Sequence, residues 1–213
     1  MKKRISILFA ILLILCLSAC SAGKKTESAD GSSVDGSDHS QDDNTDSSAS
    51  QDAETEGKVL VVYFSATGTT KGVAEKIAKL TGADLYEIVP AEPYSDADLN
   101  WNDSKSRTTK EQNDKTVRPE IAGEKVDLSA YRTVYIGFPI WWGEEPRIMD
   151  TFAESYEFDG ITLVPFCTSS SSGIGRSGKN MEALSGSGTW LEGRRFAGSV
   201  SEADLQAWID GLN

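Results

Sequence analysis

Residues 59–72 read VLVVYFSATGTTKG, and the change of character at Ser65 decides the fold. Val59–Phe64 is a continuous apolar run of strand length, the pattern of a strand covered on both faces. It stops at Ser65, Thr67, Gly68, Thr69 and Thr70. Beyond them Val73, Ala74, Ile77 and Ala78 recur at helical spacing, Lys71, Glu75, Lys76 and Lys79 take the opposite side, and Gly82 marks a helix stop. A strand feeding a helix through such a loop offers an anion unpaired backbone N–H groups and the positive end of a helix dipole. Gly68 permits close approach or positive φ, and the hydroxyls add donors without a positive side chain. The loop is neither Gly-x-x-x-x-Gly-Lys-Ser/Thr nor Gly-x-Gly-x-x-Gly, and the lack of the first pattern argues against ATP hydrolysis. Helix capping accounts for one hydroxyl of the group but not for the rest.

The same alternation continues to the end of the chain. Leu85–Val89, Thr133–Phe138 and Ile161–Cys167 read as further strands, and Trp190–Phe196 as a fifth, interrupted by Arg194 and Arg195. Pro146 opens a helix with Ile148, Met149 and Phe152 inward, and a shorter helix surrounds Lys179–Leu184. Ser201 caps a last helix, with Asp204 three residues on and Leu205, Trp208, Ile209 and Leu212 as its core stripe. Strand–helix alternation implies an α/β fold with a mainly parallel sheet covered on both faces. Five strands suit the order 2-1-3-4-5, whose ligand site lies beyond the carboxyl ends of strands one and three. Ala91–Lys125 is the outlier, a long polar stretch holding Tyr94, Trp101 and Arg107, and segments of that length are usually functional or mobile.

Three loops leave the carboxyl ends of strands one, three and four, so this topology gathers them. Ser65-x-Thr67-Gly68-x-Thr70 resembles the phosphate loop of the flavodoxin family, Thr/Ser-x-Thr-Gly-x-Thr. The second loop is Gly137-Phe138-Pro139-Ile140-Trp141-Trp142-Gly143. Neighbouring residues of a strand point to opposite sides, so both tryptophans cannot face one core, and a flat aromatic platform beside an anion loop suits a planar heterocycle. The segment resembles the Pro-Ile-Trp-Trp-Gly loop of single-domain flavodoxin-like bacterial proteins. The third, Cys167-Thr168-Ser169-Ser170-Ser171-Ser172-Gly173-Ile174-Gly175, resembles the family's Thr-x-Gly-Gly-Ser-Gly stretch, with Ser169 and Ser170 where glycines are common. Trp190 and Trp208 read as core.

The resemblance covers nearly all of Lys58–Asn213 and implies a flavodoxin-like three-layer sandwich that binds FMN. It places the phosphate at Ser65, Thr67, Gly68, Thr69 and Thr70. The isoalloxazine falls to Pro139, Ile140, Trp141, Trp142 and Gly143, together with Thr168, Ser169, Ser170 and Gly173. The expected activity is electron transfer or flavin-dependent reduction, including that of quinones, with a redox partner protein, a quinone or a nicotinamide donor on the other side. Glu144 and Glu145, if near the ring, would disfavour a negatively charged reduced flavin, and Arg147 would partly cancel them. No side chain stands out as an acid or base. The alternative is a non-enzymatic anchored protein that captures or stores flavin. A receiver domain of the same topology needs carboxylates where Phe64-Ser65 stands.

Outward from this domain, residues 1–57 carry a different message. Lys2, Lys3 and Arg4 precede an apolar run of 13 residues, Ile5–Leu17, too short for the roughly 20 residues that cross a membrane. Leu17-Ser18-Ala19-Cys20 resembles the bacterial lipoprotein processing motif. That resemblance implies removal of residues 1–19, a diacyl lipid on Cys20 and a location on the extracytoplasmic side of the cell membrane. Residues 21–57 are rich in Ser, Asp, Thr and Gly and bury too little apolar surface to fold, so 20–57 reads as a lipidated tether and 58–213 as the domain. His39, the one histidine, falls in the tether.

The whole chain has 21 basic and 33 acidic residues, of which residues 58–213 hold 16 and 23. That balance argues against nucleic acid as a partner. Of the three cysteines, Cys16 leaves with the signal, Cys20 is lipidated and Cys167 stands alone, so neither disulfides nor a zinc site is expected.

Overall fold

A computed structural model describes residues 57–212. The expected signal segment at 1–19, Cys20 and all but the last residue of the expected tether lie outside the described residues. The elements in chain order are β1 (Lys58–Tyr63), α1 (Thr69–Thr81), β2 (Asp84–Glu87), α2 (Arg107–Asn113), β3 (Tyr131–Pro139), α3 (Arg147–Ser155), β4 (Thr162–Thr168), α4 (Ser177–Ser185), β5 (Thr189–Trp190), β6 (Arg194–Phe196) and α5 (Glu202–Asp210). The sheet runs β2-β1-β3-β4-β5 with β6 also on β4, and every strand pair is parallel.

Alternation along the strands sorts the apolar side chains into two cores. Val61, Tyr63, Tyr135, Val164 and Phe166 meet Val73, Ala74 and Ile77 of α1 and Leu205 and Trp208 of α5. Leu60, Val62, Val134, Ile136 and Leu163 meet Ile148, Met149 and Phe152 of α3 and Met181 of α4. A strand that reads as unbroken apolar sequence is thus two interleaved faces, each with its own helix layer. Ser201 caps α5 by accepting from the Asp204 N–H, and Leu205 and Trp208 are its buried stripe, while Ile209 is only half-buried. Trp190 is half-buried against the α3 and α4 core.

The fifth strand differs from its expected form. It is split into β5 and β6, and the break falls at residues 191–193 while Arg194 and Arg195 lie within β6. Leu163 pairs with Trp190 but Phe166 pairs with Arg194, so the register slips by one residue. Opposite the break stands Pro165. The Leu191 N–H donates to the Leu163 carbonyl at 2.9 Å, so Leu163 directs its backbone groups to this edge and Pro165, two residues on, directs its missing N–H there too. Gly193 lies so close that an added Cβ would stand 2.9 Å from the Pro165 oxygen.

The 91–125 segment contains a helix that hydrophobic periodicity does not show. Ser106 caps α2 by accepting from the Thr109 N–H, and the buried residues of α2 are Thr108, Thr109, Glu111 and Gln112. An all-polar buried face gives no apolar stripe to read. Among the described residues no helix is long and apolar enough to cross a membrane, and no group of His, Cys, Asp or Glu is placed to hold a metal ion.

Candidate functional site

The first loop leaves α1 with its N-terminus open. Gly68 occupies the N-cap position with φ 83°, no side chain caps the helix and no acid sits in its first turn. The hydroxyls are therefore not spent on capping, and the leading N–H groups of the helix stay available to an anion. Thr67, Gly68 and Thr69 are exposed. The Ser65 hydroxyl is covered and has no hydrogen-bond partner in the chain. Its desolvation is uncompensated until a ligand or a water supplies one. Thr70 departs from the expected arrangement: it is buried and its hydroxyl lies 2.8 Å from that of Thr168. It joins the first loop to the third rather than facing solvent.

The second loop is a turn, not a strand continuation. β3 ends at Pro139, and Trp141 and Glu144 then exchange backbone hydrogen bonds at 2.9 and 3.1 Å. The residues between them, Trp142 and Gly143, have φ of 51° and 85°, and Trp142 is the one described non-glycine residue at positive φ. This is the tight hairpin turn that demands positive φ at both central positions. Glycine takes that conformation freely, but a tryptophan held there stores strain of the kind found at ligand sites. The expected divergence of the two rings is present, but the turn and not strand pleating creates it. Trp141 packs edge-on against Phe64 and Tyr94, with ring centroids 5.5 and 5.2 Å away, whereas Trp142 is 45 % exposed.

The third loop is divided. Thr168 is buried under Thr70, and the carbonyls of Ser169 and Ser170 accept from the Arg195 guanidinium. Ser170, Ser171, Ser172 and Gly173 are exposed.

A cleft of about 560 Å³ runs between these loops, lined by Thr67, Ile140, Trp141, Trp142 and Ser170 of the expected residues. Ser171 and Ser172 extend that lining, and Leu99, Trp101 and Thr108 form the opposing wall. The wall belongs to the 91–125 segment, whose role was not legible in the sequence beyond its length and its aromatics, Tyr94 and Trp101. Pro139, Gly143, Ser169 and Gly173 shape the loops without lining the cleft, and Ser65, Gly68, Thr69 and Thr70 lie at or behind the helix N-terminus.

The wall is tied down by α2. Gln112 donates its amide to the carbonyls of Trp141 at 2.7 Å and Glu145 at 3.1 Å, bracketing the tryptophan turn. Glu111 accepts from the Tyr94 hydroxyl at 2.7 Å and from Arg107 at 2.7 Å, and the Arg107 guanidinium lies 4.1 Å from the Tyr94 ring centre. Burial, then the Glu111 hydrogen bond, pushes the Tyr94 phenol far above its ordinary range, so it stays a donor.

Behind the turn is a buried charged cluster. Glu144 pairs with Arg147 at 2.8 Å and Lys115 at 3.1 Å, and those bonds hold its carboxyl below the usual range. Glu145 and Asp150 are 1 % and 2 % exposed, and burial pushes both carboxyls up. Neither Glu144 nor Glu145 lines the cleft, and both face the α3 side. The sequence reading let them act on the ring only if they stood near it; instead they belong to a cluster in which Arg147 and Lys115 pair with Glu144 and the Asn180 amide donates to Glu145. Cys167 is buried, and that burial raises its thiol to about 12, so it remains a packed thiol and not a nucleophile.

An open parallel sheet with an uncapped helix N-terminus at its switch point, beside an aromatic turn, defines a class of phosphate-bearing planar-ligand sites. The chain belongs to the flavodoxin family, which it matches over residues 58–212. Among solved structures it is similar to a candidate flavoprotein of Bacteroides eggerthii, at 45 % identity over 73 % of this chain and 98 % of that one, with a TM-score of 0.69. A second, from Bacteroides uniformis, shows 43 % identity over 72 % and 98 % and the same TM-score of 0.69. A flavoprotein of Lactobacillus acidophilus solved in complex with FMN shares the fold at 24 % identity, 72 % and 99 % coverage and a TM-score of 0.55. No curated protein matches the sequence.

Proposed function

We propose that this chain is an FMN-binding electron-transfer protein held at the outer face of a cell membrane by a lipid on Cys20. The observation that carries the cofactor is the first loop: an uncapped α1 start with no acid in its first turn, flanked by the orphaned Ser65 hydroxyl. It fits a phosphate monoester that is held and not transferred, since no lysine of a triphosphate loop accompanies it. The adjoining cleft, walled by Trp142 and Trp101, fits a planar ring, and family membership supports FMN as the ring.

The backbone of Thr69 and Thr70 with the hydroxyls of Ser65, Thr67 and Thr69 would hold the phosphate. Trp142 and Ile140 would orient the ring, and the third loop would meet its edge. FMN itself supplies reversible electron uptake, and the protein supplies binding, orientation and field. Physiological partners on this reading are a redox protein, a quinone or a nicotinamide donor.

Purified full-length protein titrated with FMN and with riboflavin tests the reading. FMN should bind, with its fluorescence quenched, and riboflavin should bind at least about tenfold more weakly, the scale of a few charge-assisted hydrogen bonds to the phosphate. Equal binding of the two would remove the phosphate socket. Bleaching of the bound flavin by NADH or NADPH separates a reductase from a pure carrier. Cys20→Ser should move the protein from the membrane fraction to the soluble exported fraction, and unchanged fractionation would overturn the anchor.

A further inference from the structure

We infer that Arg195 is a positioning residue for the cleft: its guanidinium turns two peptide units of the third loop so that the N–H groups of Ser170 and Ser171 face the bound ring. Rings of the flavin type carry carbonyl oxygens and ring nitrogens on one edge, and these gain electron density on reduction. The inference rests on the proposed FMN reading and adds to it the group that sets the polarity of this edge.

The geometry begins with β6. Arg195 pairs with Cys167 in the parallel register of β4, which puts it beside the root of the third loop. Its Nη2 donates to the Ser169 carbonyl and to the Ser170 carbonyl, both at 2.6 Å, and its Nε donates to the Ser169 carbonyl at 3.1 Å. These are short, charge-assisted contacts, and the rigid fork of arginine lets one side chain hold two carbonyls at once. In a planar trans peptide the carbonyl and the following N–H point in opposite directions. A Ser169 carbonyl aimed at Arg195 therefore aims the Ser170 N–H away from it, and the Ser170 carbonyl does the same for the Ser171 N–H.

Two further observations place those amides. Ser170 and Ser171 line the cleft and Arg195 does not, which supports the cleft as the side these amides face. Neither amide donates to another backbone group among the described residues, whereas the neighbouring Ser169 N–H donates to the Phe196 carbonyl at 3.3 Å. The loop is also closed on itself, since the Ser169 hydroxyl donates to the Ser172 carbonyl.

Charge adds to position. Arg195 makes no salt bridge among the described residues, unlike Arg107, Arg118 and Arg147. A half-buried positive charge bonded to two carbonyls and a hydroxyl, set behind two N–H dipoles, favours added electron density in front of them. The field on the ring thus comes from β6 and the third loop, while the acids of the tryptophan turn are met by their own cations.

The test compares wild type, Arg195→Met and Arg195→Lys as full chains. FMN affinity, the midpoint potential of bound FMN and hydrogen exchange at the Ser170 and Ser171 amides are read for each. In wild type, FMN should protect both amides. In Arg195→Met that protection should be lost, and the preference for reduced over oxidised FMN should fall about tenfold, the scale of one charge-assisted contact, or about 30 mV more negative for two electrons. Arg195→Lys keeps the charge without the fork, so it should recover part of the potential and leave at least one amide unprotected. A methionine variant that binds FMN at the wild-type potential with both amides protected overturns the inference and leaves the FMN reading standing. If the methionine variant fails to fold or bind, the lysine variant decides: wild-type potential with wild-type protection at both amides overturns the inference. A wild type that binds no FMN overturns the FMN reading itself.

Discussion

The side-chain oxygens of Thr70 and Thr168 lie 2.8 Å apart in a buried contact between residues 98 positions apart in the chain. One sits in the first turn of α1 and the other at the end of β4, so this single hydrogen bond fastens the first loop to the third. Thr168→Val should leave the Thr70 hydroxyl buried and unpaired at a cost of about 1–3 kcal/mol, while Thr70→Val with Thr168→Val should recover most of it. Urea denaturation of both single variants and the double should give a coupling of about 2 kcal/mol or more. Additive losses would show that the contact carries no stability.

Gln112 acts on the second loop as the threonine pair acts on the other two. Its amide donates to Trp141 and Glu145, and it is 8 % exposed. Gln112→Glu keeps the shape and loses the donor, so two carbonyls are left without it and a carboxylate faces them. The expected loss is about 2 kcal/mol at pH 8, smaller at pH 4 where the new carboxyl protonates and donates again. A variant as stable as wild type at both pH values would show that the turn holds itself.

Trp142 should show opposite signs in two measurements. Its φ of 51° is costly for a tryptophan, so Trp142→Gly should stabilise the flavin-free protein by roughly 0.5–1 kcal/mol after the entropic cost of glycine. The same variant should bind FMN about tenfold more weakly, the scale of one aromatic stack. Chemical denaturation reads the first and flavin fluorescence the second. A loss of stability without a loss of affinity would make Trp142 a packing residue.

Glu145 gives a pH signature. Burial raises its folded carboxyl above the unfolded value, in company with Asp150 and facing Arg147 and Asn180. A raised folded value means stability that is full below the unfolded value and is lost as pH rises through the folded one. Glu145→Gln keeps an oxygen for the Asn180 amide and removes that titration. Its stability relative to wild type should therefore increase between pH 4 and pH 8, by about 1 kcal/mol or more. Urea melts at the two values check it, and a difference independent of pH would place the raised carboxyl elsewhere.

The sequence by itself determined the sheet, its order and the three loops. Apolar strands buried on both faces and helices with apolar stripes write their periodicity into the residue pattern, and the parallel topology then dictates which loop ends converge. It determined the open first loop as well, because Gly68 and the surrounding hydroxyls are local chemistry. Tertiary structure alone decided the rest. The all-polar α2 buries Thr108, Thr109 and Glu111 through hydrogen bonds to Asp98, Asp103 and Tyr94 of its own segment and Gln112 through bonds to distant Trp141 and Glu145, and such burial leaves no hydrophobic period. The break in the fifth strand was set by Pro165 on its neighbour. The division of the hydroxyls, with Thr70 and Thr168 spent on each other and Ser65 left without a partner, depends on distances between loops. The placement of Arg195 behind the third loop follows from strand pairing with β4, a relation that no local window of sequence contains.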